Sequence, residues 1–322
     1  MLPPIFFDGL LYTCLLCCLT IGFTLILMTT RVWNMAHGSM ATIGAFITLI
    51  AGEIWKVNVY STLGLSFVVP AILSFIFYYT LVRPLIRRGA SDLMLFVLTF
   101  AINFIFVGVI NILADYLTNV YKLSARLFFL RSLDVKIFGL PGITLIAPLL
   151  TAAIIIIMHL FLTKTKFGTA MRATIENPAL AGTVGVNVNL VYSVSWFLAG
   201  GLAGLAGGLL PLWILYTPYT GEILLLSVFA ASMVGGTGSI YGAILGGIIT
   251  GTAEVWGTYF LSTFIGSFMV QYRAVIPVII LAVCLIFVPQ GLTGINWRDT
   301  WFKLKIFLMK ITKPTAIKNR NA

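Results

Sequence analysis

The chain is 322 residues long, 60% apolar and only 9% charged, against about 25% charged residues in a soluble domain, which excludes an ordinary water-soluble protein. Sixty per cent of 322 is about 193 residues, and at about 20 residues per bilayer-spanning helix there is room for about nine spans. A net charge of +11 would suggest nucleic acid in a soluble protein, but most basic residues lie in loops beside hydrophobic runs. There they set membrane orientation, and no nucleic-acid partner is expected.

The apolar runs fall at 5–29, 39–52, 60–82, 93–113, 141–163, 191–213, 222–236, 239–262 and 270–289. They are long and continuous rather than alternating, which sets aside a transmembrane barrel. The expected fold is all-α, a polytopic helical membrane protein with about 8–10 transmembrane segments. Residues 1–296 form the membrane domain and 297–322 a basic tail. No Lys or Arg precedes Arg31, so the positive start of a cleavable signal peptide is missing and the first run is expected to remain as a span. Runs 39–52 and 222–236 are short for a bilayer and adjoin polar or glycine-rich stretches, which reads as two discontinuous helices.

Arg83, Arg87 and Arg88, then Lys164, Lys166 and Arg172, then the tail are separated by even numbers of runs and share one face. That face is assigned as cytoplasmic, with the C-terminus inside a cell membrane and the N-terminus outside. Loop 114–140, with Lys122, Arg126, Arg131 and Lys136, disagrees. The tail itself reads equally as an interfacial helix or as a solvated topology-setting segment.

Chemistry is thin. The nine carboxylates are so dispersed that no two lie within one helical turn in sequence, and the two histidines, His37 and His159, form no HExxH. A GxxxxGK[ST] loop is lacking, so ATP, if used, must be bound by another subunit. The reading is not an enzyme, with no metal and no cofactor in this chain. Cys14, Cys17, Cys18 and Cys284 sit in apolar runs and read as packing.

Four signals remain. The stretch RVWNMAHGSMATIGAF, residues 31–46, sets Arg31, Asn34, His37 and Ser39 between two apolar runs, either as a surface loop or as a polar break inside the membrane. Glycines recur every four residues at Gly200, Gly204 and Gly208 and at Gly238, Gly242 and Gly246, a close-packing pattern; the GGTGS within the latter, 235–239, is also a candidate second break. Residues 163–192 carry a helix-like stretch from Gly168 to Ile175, a second start at Pro178 and a stop at Gly185, as for a docking segment at the cytoplasmic mouth. Lone acids complete the set: Glu254 inside a run, and Glu222, placed at the outer interface.

Together these stretches resemble the permease subunits of ABC importers for branched-chain amino acids. NMAHGSMATIGAF is similar to the family's Asn-Phe-Ala-His-Gly stretch with Met35 for Phe, KTKFGTAMRATIENPALAGTVGVNVNLV to its coupling segment, GGTGSIYGAILGG to its glycine-rich break and VPQGLTG to its closing motif. The family often has Glu-Ala-Ala after the Pro, where this chain has Ala179, Leu180 and Ala181, which leaves Glu176 as a stand-in. The resemblance implies two ABC ATPases below, a second related or identical permease beside, and an extracytoplasmic solute-binding protein above. It implies a translocation path at Asn34, His37, Gly38, Ser39, Gly235, Gly236, Gly238 and Ser239, with Glu254 added as an intramembrane acid. ATPase coupling falls to Lys164, Arg172, Glu176, Pro178 and Gly185. Urea, short amides and other small polar solutes stay open as cargo. An ion-coupled secondary carrier is disfavoured by the scarcity of intramembrane acids.

Overall fold

In hydrocarbon the backbone must satisfy its own hydrogen bonds, so long apolar runs become helices. The structure is a computed structural model describing residues 4–137, 139–288 and 290–294; the basic tail 297–322 lies outside the described residues. The helices are α1 (Pro4–Thr30), α2 (His37–Glu53), α3 (Leu63–Phe77), α4 (Arg83–Arg87), α5 (Asp92–Tyr121), α6 (Ile143–Lys164), α7 (Lys166–Glu176), α8 (Pro178–Thr183), α9 (Val188–Leu209), α10 (Thr220–Gly235), α11 (Ile240–Phe264) and α12 (Val275–Phe287). A π-helical turn, Tyr78–Val82, joins α3 to α4 into one span, where Pro84 can offer no backbone N–H. An antiparallel pair, Lys136–Ile137 with Leu140–Pro141, folds the loop after α5.

Among the described residues six stretches are long and apolar enough to cross a membrane: Ile5–Thr30, Leu63–Arg87, Asp92–Tyr121, Ile143–Lys164, Val188–Leu212 and Val275–Gly294. Three more helices are embedded with them. Two are short, α2 with 17 residues and α10 with 16, and α11 is long but diluted by glycine, threonine and Glu254.

Helices α1 and α9 form the centre, 89% and 78% buried along their apolar windows, while α5, α6 and α12 lie outside at 28%, 28% and 18%. Close approach explains the glycine spacing. A Cβ at Gly204 would strike the Ser66 carbonyl and the Pro70 ring of α3; one at Gly44 of α2 would strike the Gly204 carbonyl. Helices in lipid associate through such backbone proximity because burying apolar surface gains little there.

Both short helices follow non-helical segments that carry the chain into the bundle. Residues 31–36 turn back from the end of α1, so that α2 starts beside the middle of α1, with His37 Nε2 3.0 Å from the Leu19 carbonyl oxygen. Residues 213–219 dip under the loop after α5, where Phe128 and Tyr216 form an isolated antiparallel bridge. From there α10 starts against α2, with Gly38 and Gly221 so close that a Cβ on either would overlap the carbonyl of the other.

A break therefore lies at 213–219, before α10, and the helices are interrupted again at Gly235–Ser239. Gly235, Gly236, Gly238 and Ser239 form the turn of a tight α10–α11 hairpin, with Gly236 at φ 105° and Thr293 Oγ1 donating to the Gly235 carbonyl at 2.8 Å. Only glycine tolerates that backbone and the approach of Gly291 to Gly236. The glycine repeat in sequence marks where helices touch, except at Gly238, which lies in the turn with open space around it.

Candidate functional site

The break at 31–36 is built from α1, α5 and α10. Arg31 at φ 57° ends α1, and Asn34 Oδ1 accepts from Ala36 N at 3.1 Å. On α5, Thr99 Oγ1 donates to the Trp33 carbonyl at 2.8 Å and accepts from Met35 N at 3.3 Å, so one hydroxyl serves two backbone groups freed by the break. The Trp33 ring stacks on Phe229 of α10 with centroids 5.3 Å apart. Asn34, His37, Gly38 and Ser39 are all buried, so this is an interior break and not a surface loop. Asn34 Nδ2 and His37 Nδ1 are buried with no hydrogen-bond partner among the described residues, at about 1–3 kcal/mol for each such atom.

Where α2 crosses α10, a polar chain runs outward. Ser39 Oγ donates to Asn103 Oδ1 at 2.6 Å, and Asn103 Nδ2 donates to Glu222 Oε1 at 2.5 Å. Asn103 is twelfth in the 30 residues of α5, about 17 Å from its start. Glu222 therefore sits at membrane depth and not at the outer interface, because 213–219 has already carried the chain inward. It is half-buried and makes no ion pair among the described residues. Sequence reading passed over Thr99 and Asn103; polar side chains inside the apolar run 93–113 were the available signal.

Glu254 has a different setting. Its Oε1 accepts from Arg273 Nε at 2.8 Å, and its Oε2 accepts from Tyr12 Oη at 2.7 Å and Ser227 Oγ at 2.8 Å. The Arg273 guanidinium lies 4.2 Å from the Tyr12 ring centroid. Glu254 is 4% exposed, and its two oxygens tie α1, α10, α11 and the turn before α12 together.

The segment 164–187 stands outside the bundle. Thr165 caps α7 by accepting from Gly168 N at 2.9 Å; Asn177 caps α8 by accepting from Leu180 N at 3.0 Å, with Pro178 in the first turn. Gly185 at φ 90° turns the chain toward α9. Buried Met171 and Thr174 face inward, where α7 touches α1, α6 and α9. Lys164, Arg172, Glu176 and Pro178 are exposed. Leu180, noted from sequence only as a departure from the family's pattern, and Val184 are 63% and 74% exposed, an apolar knob on a segment between spans.

A family model described as "Branched-chain amino acid transport system / permease component" matches residues 5–288. The chain belongs to that family. A probable branched-chain amino acid transport permease protein LivH from Methanocaldococcus jannaschii is 40% identical over 290 residues, 90% of this chain and 92% of the relative. The high-affinity branched-chain amino acid transport system permease protein BraD of Pseudomonas aeruginosa is 24% identical over 284 residues, 86% and 90% of the two chains. LivH of Escherichia coli K12 is 31% identical over 138 residues, 42% of each chain. No solved structure matches. This permease is thus an integral membrane protein.

Proposed function

We propose that this permease is the membrane subunit of an ATP-driven importer of branched-chain amino acids. The observation that carries the reading is the family match over residues 5–288. ATP is bound by two partner ATPases, so the chain needs no cofactor of its own; a second permease stands beside it, and a solute-binding protein delivers amino acid from outside. The orientation follows charge. Arg31, Arg83, Arg87, Arg88, Lys164, Lys166 and Arg172 gather at one end, which faces the cytoplasm with the C-terminus. At the other end Arg126, one of the four basic residues of the loop that disagreed, is paired with Asp115, which takes one charge from that loop's signal.

The α7–α8 segment receives the ATPase. Leu180 and Val184 enter an apolar cleft of the partner, each with about 1.5–3 kcal/mol available on full burial. Arg172 and Glu176 flank them, Lys164 lies at the root, and Pro178 and Gly185 fix the shape. Movement of α7 passes through Met171 to α1 and α9, whose glycine stripe grips α2. The break at 31–36 with the first turn of α2, where two polar atoms are unpartnered among the described residues, is the place where rearrangement meets least resistance, and the passage runs beside it. Gly235, Gly236, Gly238 and Ser239 act as the stiff cytoplasmic turn of α10–α11 bounding that passage.

The test is the double variant Leu180→Asp/Val184→Asp in the assembled transporter. ATP-driven leucine uptake should fall by tenfold or more, about 1.4 kcal/mol at least, together with retention of the ATPase on the permease during purification. Normal uptake with the ATPase still bound would refute the docking assignment.

A further inference from the structure

We propose that Glu222 is the counter-charge for the ammonium group of the amino acid in transit, held ready by Asn103 and Ser39. The inference rests on the amino-acid reading above and adds a site to it.

Three observations converge. Glu222 is a carboxylate at membrane depth, partly buried, whose side chain is bound by one amide donor and by no cation among the described residues. Its other oxygen, Oε2, takes no hydrogen bond among those residues and is absent from the buried unpartnered atoms, so it is not sealed inside the chain. A carboxylate turned toward lipid is disfavoured, so this face meets water or a neighbouring subunit instead. Second, the supporting pair is directional: Ser39 donates to the Asn103 carbonyl oxygen, which turns the amide N–H toward Glu222. A neutral hydrogen bond leaves the negative charge in place for a mobile cation, whereas an Arg or Lys would cancel it. Third, the residues around this polar centre are apolar and exposed. Phe100 and Phe104 flank Asn103 on α5 with rings 4.8 Å apart, and Ile223 and Leu226 follow Glu222 on α10. An ammonium group joined to a branched apolar side chain fits such a pairing of one charge with aliphatic and aromatic surface. Urea or a short amide would leave the carboxylate uncompensated.

The experiment uses the complete transporter, with both permeases, ATPases and binding protein, in proteoliposomes supplied with ATP and radiolabelled leucine. If the wild-type complex takes up no leucine, the cargo reading fails before Glu222 is tested. Given wild-type uptake, Glu222→Gln should reduce it at least tenfold, about 1.4 kcal/mol, while Glu222→Asp, which keeps the charge, restores most of it. The Glu222→Gln complex should assemble and bind its ATPases normally. Uptake by Glu222→Gln within about twofold of wild type overturns the proposal, and so does failure of that variant to assemble, because Glu222 would then pair with a neighbouring subunit. As a second readout, Glu222→Cys should react with a membrane-impermeant cationic thiosulfonate faster than the wild-type chain, whose four cysteines lie in apolar runs, and leucine should slow the reaction. Absence of labelling in every nucleotide state would equally overturn the assignment.

Discussion

Glu222 and Glu254 are two carboxylates at membrane depth on neighbouring helices, and their surroundings are opposite. Glu254 is almost wholly buried and fully engaged, with an arginine on one oxygen and two hydroxyls on the other. Glu222 is only partly buried and has an amide as its side-chain partner. A lone acid in an apolar run therefore signals that something holds it, without saying whether the holder is the protein or a visitor. The distinction is made by the partner's charge and by which way the free oxygen points.

The largest effect expected from this contrast is on stability, at Glu254. Glu254→Gln leaves Arg273 partly buried opposite a neutral group, and removing one member of such a pair costs about 3–5 kcal/mol; Arg273 is still 32% exposed, which points to the lower end. Thermal unfolding of the purified permease in detergent would register it, and Glu254→Gln/Arg273→Met should recover much of the loss. Glu222→Gln in the same assay should change stability by less than about 0.5 kcal/mol, since the amide oxygen of a partly buried Gln can replace the acceptor. Equal destabilisation by the two variants would erase the contrast.

Next in size is the crossing that places Glu222. Gly221→Ala puts a methyl group into the Gly38 carbonyl and the Thr42 hydroxyl, backbone contact that side-chain rotation cannot relieve, and overpacking of this kind costs about 1–3 kcal/mol. Helix α10 should shift against α2, and leucine uptake should fall with assembly retained. Gly238→Ala, at a glycine with open space around it, is the matched control in the other glycine-rich stretch and should leave uptake near wild type.

Much of the fold was legible because the bilayer enforces it: nine apolar runs, two of them short, correspond to the nine embedded segments. The helix starts at Pro178 and the stop at Gly185 were readable from local backbone chemistry, which needs no knowledge of neighbours. Glu222 was misplaced because depth is not a local property. Its place at the start of the run 222–236 put it at the interface, and only the non-helical segment 213–219, pinned by Tyr216 to Phe128, moves it inward. GGTGS is ambiguous for a related reason, since glycine serves turns, helix contact and broken helices alike. Leu180 and Val184 were given no docking role because an apolar residue stands out only once its exposure is known.

The smallest effect tests the finest part of the comparison, the orientation of Asn103. Ser39→Ala removes the donor that fixes the Asn103 carbonyl oxygen, a loss of about 1 kcal/mol, without touching Glu222 itself. The amide then rotates more freely and its N–H is presented to the carboxylate less of the time. Leucine uptake should fall by about threefold to fivefold, by RT ln of the population lost. In the Glu222→Gln background the same change should have almost no further effect on uptake, because the orientation of Asn103 matters only while there is a charge to hold. Groups acting through one another are non-additive in this way, whereas independent packing defects add. Additive losses in the double variant would mean that Ser39 merely fills space at the start of α2, and the polar chain from α2 through α5 to α10 would lose its functional meaning.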